Sequence, residues 1–494
     1  MKWALLSVWD KKGIIDLAKA LTRQKYNIMS SGGTGKALSE AGIKFTEVSS
    51  YTGFPEMMDG RVKTLHPKVH GGLLGRRQID DAIMTKYGIN HIDLLVVNLY
   101  PFEQMSAQSM DLEKLIEYID VGGPAMIRAA AKNFKEVAVV VDPSDYPMIT
   151  QSISGSGIMP EDRLNLAMKA FARTAAYDAA ISNYFYRLDA DFPSTFTIQY
   201  THGRALRYGE NPHQKAAVYG TRGIAGIEPV QGKQMSYNNY LDVNAGAGLI
   251  REFEEPAAVI MKHNNPCGVA TGTGISDAYI AAREVDPVSA YGSVVSVNRQ
   301  IDDKLAGEIC NTFVEVIVAP AYSAKALAVM KKKDTMRVLV LPEKTESDEI
   351  RTIDGGVLVQ RTPAYREHWK VITDRDPTPD EMKALQLAWK VCKHTKSNTI
   401  IFADQRRTLG IGAGQMSRVD AAKIAIQKAC GSLKGSAVAS DAFLPFPDTL
   451  EVAAQAGATA LVQPGGSIRD KEVIEAANRL HMAMVFTGVR YFRH

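Results

Sequence analysis

The sequence predicts an α/β protein of at least two domains, the first built on a parallel sheet with helices on both faces. With 494 residues, the chain is too long for one hydrophobic core. Its composition, 46% hydrophobic and 23% charged, is that of an ordinary globular protein. Apolar runs alternate with helix-like segments along the first third of the chain, a pattern typical of parallel sheets.

The N-terminal elements alternate in a regular order. Short apolar runs predict strands, and the segments between them begin with turn residues and continue with helical periodicity. Strands are predicted at residues 3–8, 26–29, 43–48, 94–99 and 137–141, and helices at residues 14–24, 34–42 and 161–187. A helix-breaking segment at residues 188–194 predicts two domains, at residues 1–190 and 198–494. Further core strands are predicted at residues 257–261, 355–360 and 437–440, and a surface loop at residues 344–348.

Polar residues follow several of these strands. Ligands of open parallel sheets bind at the carboxyl ends of the strands. The residues at these positions are Asp10, Lys11, Ser31, Gly32, Gly33, Thr34, Asn98 and Tyr100. The sequence therefore predicts a ligand site at this edge of the sheet.

The charge pattern excludes some classes of partner. The formal net charge is +4, and the short run at residues 331–333 is best explained as solvated surface. A dedicated nucleic-acid binder would show clustered positive charge, whereas a slight basic excess suits phosphorylated small molecules.

The cysteines and the apolar runs indicate the compartment. The four cysteines are scattered without a C-x-x-C pair, so neither a zinc site nor a redox pair is predicted, and a reducing cytosol is expected. The N-terminal apolar run is too short for a signal peptide, and no run is long enough to span a membrane. We expect a cytoplasmic protein that requires no metal.

The segment from Ser31 to Lys36 resembles a phosphate-binding loop. It is not a Walker A motif, because Ser30 and Ala37 stand where that motif has Gly and Ser or Thr. Small residues at a helix N-terminus offer backbone N–H groups to an anion, although a simple capped turn has the same composition.

A second basic segment contains Arg61, Lys63 and Thr64. In extended chain, alternate side chains point to one side, so the two cations would suit a phosphate or carboxylate, with a solvated edge as the alternative. Further on, Asp120 precedes an alanine-rich helix that carries Lys132. A lysine removed from water on this helix would serve as an acid or base.

The segment Lys262 to Gly268 follows a buried strand. It is punctuated by Asn, Pro and Gly, so it predicts a tight polar loop at the strand end, either a plain surface loop or a reactive one. The adjacent Lys262 and His263 are poor packing residues but suitable for acid–base chemistry.

Together these motifs resemble the family of bifunctional purine biosynthesis proteins, which combine phosphoribosylaminoimidazolecarboxamide formyltransferase with IMP cyclohydrolase. The resemblance covers nearly the whole chain. It lies at residues 53–67, 120–133, 206–214, 262–268, 394–398, 410–418, 440–448 and 490–494.

The resemblance implies a first domain like methylglyoxal synthase and a second built from cytidine-deaminase-like units. It implies that the first domain closes the ring of the formylated carboxamide ribonucleotide. The implied nucleotide ligands are Asp10, Lys11, Ser31, Gly32, Gly33, Thr34, Arg61, Thr64, Asn98 and Val121, and the implied catalytic residues are Lys63, Tyr100, Asp120 and Lys132. Lys132 near Asp120 is the expected proton shuttle.

The resemblance also implies transfer of a formyl group from 10-formyltetrahydrofolate to the amine of the carboxamide ribonucleotide. His263 is the expected base, with Lys262 supplying positive charge and Asn398 orienting the formyl oxygen. The implied nucleotide ligands are Arg207, Tyr208, Asn239, Gly292, Glu315 and Arg490, and the implied folate ligands are Arg418, Phe443, Asp448, Ser467 and Ile468. Phe443 offers a flat apolar surface for a pterin or benzoyl ring.

Some positions depart from the family pattern. Glu315 is acidic, as is usual at its position, but it precedes Val316 to Pro320 where the family has an Ile-Ile-Ala-Pro-like strand. Ser293 replaces a second Gly, and Trp9 replaces a smaller residue, so Trp9 is either core packing or a stacking surface. The second domain is compact for the family, which implies shortened loops on the folate side. The resemblance further implies a homodimer that shares the transferase site between subunits.

Two alternatives remain at this point. A zinc nucleobase deaminase would need H-x-E and P-C-x-x-C, but Cys267 has no second Cys at the required spacing. A nucleotide-sensing protein would bind tightly without turnover, yet it would have no need of Lys262, His263, Asn398 and Lys132.

Overall fold

The computed structural model describes residues 1–108, 110–188, 192–346, 348–361 and 366–494, apart from the side chain of Asp59. The described chain divides into two compact units, Met1–Gln199 and Tyr200–His494. The predicted end of the first domain at residue 190 lies outside the described residues, and the predicted domain limits stay predictions.

The first unit is built on an all-parallel sheet in the strand order β3-β2-β1-β4-β5. Its strands are β1 Lys2–Val8, β2 Tyr26–Ser30, β3 Thr46–Glu47, β4 Leu94–Asn98 and β5 Ala138–Val140. Its helices are α1 Ile14–Arg23, α2 Gly32–Glu40, α3 Val48–Thr52, α4 Pro67–Leu74, α5 Asp81–Lys86, α6 Phe102–Ser106, α7 Leu112–Ile116, α8 Gly122–Lys132, α9 Tyr146–Ser154 and α10 Pro160–Arg187, with 3₁₀ turns at Met58–Gly60 and Pro143–Asp145.

Burial on both faces explains the apolar strands of this sheet. One core cluster contains Leu5 and Leu95, and another contains Leu6 and Val96, so alternate residues of a strand enter opposite cores. The strand predicted at residues 43–48 is wrong in extent, because Ile43 donates its N–H to Leu38 and completes the end of α2 instead. The strand order reverses between β1 and β4, which is the usual ligand position in such sheets.

The second unit contains two larger sheets among its described residues, in the orders β12-β11-β10-β8-β9 and β15-β20-β19-β18-β16-β17. Its strands are β6 Arg204–Leu206, β7 Ala216–Val218, β8 Ala257–Lys262, β9 Asn265–Thr271, β10 Ser293–Val297, β11 Val314–Ala319, β12 Arg337–Val340, β13 Glu349–Ile353, β14 Gly356–Gln360, β15 Lys370–Val371, β16 Ile400–Ala403, β17 Thr408–Gly412, β18 Ala437–Ser440, β19 Ala460–Gln463 and β20 Ala483–Phe486. Its helices are α11 Tyr237–Ile250, α12 Ile275–Arg283, α13 Pro287–Ala290, α14 Asp303–Cys310, α15 Ala324–Met330, α16 Pro379–Cys392, α17 Arg418–Lys428, α18 Asp448–Gln455 and α19 Asp470–Arg479, with a 3₁₀ turn at Gly223–Gly226.

The second unit repeats one arrangement of elements. A helix leads into an antiparallel hairpin, β8–β9 or β16–β17, and each hairpin joins three parallel strands, β10–β12 or β18–β20. Residues of α11, α16 and both sheets form one hydrophobic core, in which Trp389 is fully buried. The two copies therefore fold around each other rather than as separate domains.

Two predictions about this unit are corrected. The segment after Lys262 is a two-residue turn, and Asn265 already begins the returning strand β9, so Pro266 and Cys267 are not part of a loop. Residues 355–360 do not form a core strand. β14 pairs with β13 in a largely exposed hairpin, although its apolar letters are those of a buried strand. Within the described residues, no helix is both long and apolar enough to cross a membrane.

We expect Gly412→Ala to destabilise the second unit. β17 lies so close to α17 that a Cβ at Gly412 would stand 1.8 Å from the carbonyl oxygen of Ala421. Relieving that overlap requires strand and helix to separate, at a cost of about 1–3 kcal/mol. Urea denaturation should show a lower midpoint for this variant. Gly431→Ala, whose Cβ would meet nothing within 4 Å, is the matched control, and equal midpoints for the two variants would contradict the prediction.

Candidate functional sites

A cavity of about 510 Å³ opens at the carboxyl edge of the first sheet, beside the reversal between β1 and β4. The segments that follow β1, β2 and β4 form its walls together with residues 60–64 and the start of α8. The predicted residues that line it are Lys11, Ser31, Gly33, Thr34, Arg61, Lys63, Thr64, Asn98, Tyr100, Asp120 and Val121. The structure thus brings most of the predicted residues of the first domain together.

One end of this cavity is suited to an anion. α2 begins at Gly32, and the buried Ser31 hydroxyl before it has no hydrogen-bond partner within the described residues. The ammonium of Lys63 would lie 3.3 Å from a Cβ at Gly32, and that of Lys11 lies 3.7 Å from a Cβ at Gly33. Free N–H groups at a helix N-terminus, flanked by two ammoniums, favour a phosphate.

The ammonium of Lys11 is held by the main chain. Its Nζ donates to the carbonyl oxygens of Val8 and Trp9. Burial lowers the pKa of Lys11, and Lys63 lowers it further, whereas Asp10 acts in the opposite direction. An arriving anion would offset both the burial and the repulsion between the two lysines.

Several predicted ligands have structural tasks. Asn98 Oδ1 accepts from the N–H groups of Trp9 at 2.5 Å and Asp10 at 2.9 Å, and its Nδ2 donates to Asp10 O at 3.0 Å. Thr34 Oγ1 both accepts from and donates to the backbone of Val8. Asp10 Oδ1 accepts from Lys12 N–H, and Asp10 does not line the cavity. Asn98, Thr34 and Asp10 therefore fix the loops around the cavity, and their part in binding the ligand stays a prediction.

The Asp120 carboxyl lines the same cavity. Its Oδ1 accepts from Gly123 N–H at 2.7 Å, and a Cβ at Gly123 would stand 2.6 Å from Oδ2, so glycine is required there. Burial raises the pKa of Asp120, whereas the Gly123 N–H and Lys63 lower it. Burial also raises the pKa of Tyr100, and Asp120 adds to the effect. The part of the cavity around Asp120 and Tyr100 therefore holds groups able to keep or exchange a proton.

The expected pairing of Lys132 with Asp120 is wrong in this structure. Lys132 is the last residue of α8, and Asp120 lies just before its first. At 1.5 Å per residue, the helix separates them by about 15 Å. Lys63 is the lysine whose charge acts on Asp120. Arg61 lines the cavity but forms an ion pair with Glu117 at its edge.

The exposure of the Trp9 side chain decides between core packing and a stacking surface. Its side chain lines the cavity and is 48% exposed, which excludes core packing. Its ring meets Tyr100 edge-on at 5.1 Å and Tyr118 at 6.1 Å between centroids. Tyr118 was not predicted, because only the fold brings this aromatic wall together.

In the second unit, Lys262 and His263 stand at the turn between β8 and β9. His263 and Asn264 have φ values of +52° and +63°, and the left-handed conformation costs a residue with a Cβ roughly 1–2 kcal/mol. Lys262 Nζ donates to the carbonyl oxygen of Tyr291 at 2.5 Å and would lie 3.8 Å from a Cβ at Gly292. The turn thus presents an exposed imidazole beside an ammonium.

A cavity of about 460 Å³ lies beside this turn. Among the predicted transferase residues that the structure describes, Lys262 and His263 line it, together with Gln415 and Lys428, which were not predicted. Cys267 also lines it, and burial raises the pKa of its thiol to about 12. Among the described residues, no group of three or more His, Cys, Asp and Glu side chains is placed to hold a metal ion.

Several predicted nucleotide ligands of this unit interact with one another. Asn239 Nδ2 donates to Glu315 Oε2 at 3.0 Å, and Arg207 stacks on Tyr208 at 4.7 Å. The buried Arg337, which interacts with two of these residues, was not predicted. Burial lowers the pKa of Arg337, while Glu315 raises it and Arg207 lowers it. Its apolar neighbours in β12 concealed it, since the pattern there is that of an ordinary core strand.

The C-terminal residues connect the remaining predicted groups. Phe492 lies between the guanidinium groups of Arg490 at 4.4 Å and Arg418 at 5.6 Å. Asn398 Nδ2 donates to Met416 O at 3.1 Å, and the backbone of Asn398 pairs with that of Gln415. Among the described residues, the side-chain oxygen Oδ1 of Asn398 has no hydrogen-bond partner.

Four of the predicted folate ligands follow two neighbouring parallel strands, β18 and β19, so they share one sheet edge, whereas Arg418 begins α17. Ile468 is fully exposed and Phe443 is partly exposed. Asp448 begins α18 and accepts from Thr449 N–H at 2.7 Å, and Ser467 Oγ accepts from Arg469 N–H at 3.1 Å. These residues do not line the 460 Å³ cavity.

Comparison with known proteins decides the family. The family model of the AICARFT/IMPCHase bienzyme matches residues 130–428, and that of the MGS-like domain matches residues 13–125. The chain belongs to the AICARFT/IMPCHase bienzyme family.

Relatives of this bienzyme family match the chain along its length. The bifunctional purine biosynthesis protein PurH of Magnetococcus marinus is 48% identical over 531 residues, covering 100% of this chain and 99% of the relative. PurH of Halalkalibacterium halodurans is 48% identical over 507 residues, covering 99% of each. A solved structure, "Crystal structure of ForH", is 38% identical with a TM-score of 0.34, covering 37% of this chain and 97% of its own.

These comparisons confirm several predictions. They confirm the family resemblance and the α/β class with a methylglyoxal-synthase-like first domain. They also confirm the assignment as a bifunctional formyltransferase and cyclohydrolase of purine biosynthesis. Membership of the bienzyme family also replaces the deaminase alternative. The description of the second domain as cytidine-deaminase-like units stays a prediction.

A partly buried ion network of the bienzyme chain supports the segment before Asn398. Glu252 accepts from Lys393 Nζ at 2.8 Å and lies 3.0 Å from His394 Nε2, while Arg493 approaches His394 Nδ1 at 3.4 Å. Burial alone would raise the pKa of Glu252, but the hydrogen bonds from His394 and Lys393 outweigh it and lower the pKa to about 2. Burial lowers the pKa of His394, against the effect of Glu252.

We expect Glu252→Gln to destabilise the second unit at pH 7 by roughly 2–3 kcal/mol. A carboxyl whose pKa falls from 4.5 to about 2 on folding stabilises the fold above pH 4.5, and that contribution is lost as the pH falls toward 2. The variant should therefore lose stability less steeply than the wild type over this pH range. Urea unfolding, followed by tryptophan fluorescence, measures both effects.

Glu254→Gln is the matched control for this network. Glu254 has an exposed side chain two residues from Glu252. A loss of stability that is the same in both variants, or a pH dependence unchanged by Glu252→Gln, would contradict the role given to the network.

Proposed function

We propose that the 510 Å³ cavity of the first unit closes the ring of the formylated carboxamide ribonucleotide, and that the Lys262–His263 turn of the second unit transfers the formyl group. The observation that carries the first assignment is the anion site formed by α2 and two lysines in the same cavity as a partly buried carboxyl. The nucleotide phosphate would accept from the N–H groups of Gly32 and Gly33, the Ser31 hydroxyl and the ammoniums.

Ring closure joins the amide nitrogen to the formyl carbon and releases the formyl oxygen as water. The two hydrogens of that water come from the amide nitrogen and the formamide nitrogen. In this proposal Asp120 exchanges a proton with the reacting amide, while Lys63 and Tyr100 stabilise or protonate the departing oxygen. The aromatic wall of Trp9 and Tyr100 would contact the base.

Formyl transfer requires a base, because the aromatic amine is a weak nucleophile. The amine nitrogen bonds to the formyl carbon, His263 takes its proton, and the bond from carbon to N10 of the folate breaks as N10 gains a proton. Lys262 supplies positive charge to the formyl oxygen or N10, and Asn398 orients the oxygen. Arg207, Tyr208, Asn239, Gly292, Glu315 and Arg490 would hold the nucleotide.

The formyl donor in this proposal is 10-formyltetrahydrofolate. The partly exposed ring of Phe443 offers a stacking surface, and Arg418, Asp448, Ser467 and Ile468 extend from the same sheet edge or from α17. A bulky apolar side chain as exposed as Ile468 is consistent with a contact surface for a ligand or a second subunit. We further propose a cytoplasmic homodimer, with domains at residues 1–190 and 198–494.

A crossed assay tests the division of labour. His263→Ala should lower formyl transfer by about 100-fold or more, since a general base contributes that much, while closure of preformed formylated nucleotide stays unchanged. Asp120→Asn should do the reverse. Formation of IMP from the carboxamide ribonucleotide and 10-formyltetrahydrofolate is measured alongside each partial reaction.

His368→Ala serves as the control, since it removes an exposed imidazole of the second unit outside the proposed site. If His263→Ala and Asp120→Asn reduced both activities equally, two separate sites would be untenable. Loss of closure in Lys132→Met with nucleotide binding intact would return Lys132 to the reaction.

A further inference from the structure

The Asp242 side chain contacts the backbone of the reactive turn. Asp242 lies on α11, three residues after Asn239 and on the same helix face. Its Oδ1 accepts from Asn264 N–H at 2.6 Å. His263, the other residue of the turn, lowers the pKa of this carboxyl, as does the Asn264 N–H. The turn is therefore bonded to the carboxylate through the backbone of Asn264.

This contact coincides with the strained part of the hairpin. His263 and Asn264 have positive φ values, which residues with a Cβ rarely adopt unless surrounding contacts hold them there. Burial raises the pKa of Asp242, as does Glu315, whereas the turn N–H groups and His263 lower it. Asn239 on the same helix binds Glu315, so α11 ties the turn and the proposed nucleotide ligands to one rigid element.

We infer that Asp242 is a positioning residue for formyl transfer, which holds the turn so that Lys262 and His263 face the reacting amine and formyl group. The inference rests on the function proposed for the turn. Without the carboxylate, the Asn264 N–H would lose its acceptor and the left-handed residues would relax. A displacement of about 1 Å in a reacting group lowers a rate by up to about 100-fold.

Asp242→Ala is the first test, in the full-length protein. It should lower kcat for formyl transfer by about 10- to 100-fold, with little change in KM for the nucleotide, because the loss is one of orientation. Ring closure by the same preparation, which the first unit carries out, should be unchanged and controls for the amount of active protein, while an unchanged midpoint of urea unfolding shows that the second unit is folded. Asp242→Asn retains an oxygen acceptor and should recover most of the lost rate.

A rescue variant separates positioning from general loss of structure. Glycine adopts positive φ without strain, so Asn264→Gly in the Asp242→Ala background should restore part of kcat. In the wild-type background, the same change should alter kcat little. Asp302→Ala is the matched control: it removes a carboxylate that accepts from Leu305 N–H at 2.8 Å away from the turn.

The outcomes distinguish this inference from the proposed function. A wild-type protein without formyl transfer overturns both. Active wild type with an undiminished Asp242→Ala kcat overturns the positioning role alone. So does a loss confined to KM, a parallel loss of ring closure, or an equal loss in Asp302→Ala.

Discussion

The carboxyl ends of neighbouring parallel strands lie at one sheet edge, and the first functional site depends on this constraint. Lys11, Ser31 and Asn98 are far apart in sequence, yet they follow β1, β2 and β4, which are neighbours in the sheet. At the same edge, the N-terminus of α2 points its N–H groups into the cavity, and the ammoniums of Lys11 and Lys63 lie beside them. Side chains such as Asn98 and Thr34 then fix the loops at that edge.

The second unit reaches its site by another arrangement, the packing of two similar copies. The hairpins β8–β9 and β16–β17 are bonded to each other, with Val269 N–H donating to Thr408 Oγ1 at 3.1 Å and Thr271 N–H to Arg406 O at 2.7 Å. One copy supplies Lys262 and the other supplies Asn398. Asn265 accepts from Lys396 N–H at 3.0 Å and ties the two together. The proposed transferase site therefore lies where the copies meet, and neither copy could form it alone.

The sequence predicted which residues lie near a ligand better than what each one does. Buried strands and their polar ends follow from periodicity, which predicts Ser31, whereas Lys63 and Asp120 follow from local motifs and the family resemblance. Partners do not follow from periodicity: Asn98 and Thr34 bind backbone, and Asp242 and Arg337 were missed because their contacts come from elements distant in sequence. The predicted contact between Lys132 and Asp120 fails because the two residues lie at opposite ends of α8. The prediction of a core strand at residues 355–360 fails because an apolar sequence alone does not show whether other elements cover the strand.

In the first site Lys63 lies 4.0 Å from the Glu56 carboxylate, but Lys11, like Lys262 of the second site, is held by main-chain oxygens. Lys262 donates to one main-chain carbonyl and Lys11 to two. An ammonium has three donors, so such an arrangement restricts the side chain while leaving a donor for a ligand. A carboxylate partner would also restrict it, but it would cancel the charge that a phosphate or a developing oxyanion needs. Carbonyl contacts therefore orient these cations at little cost to their attraction for an anion.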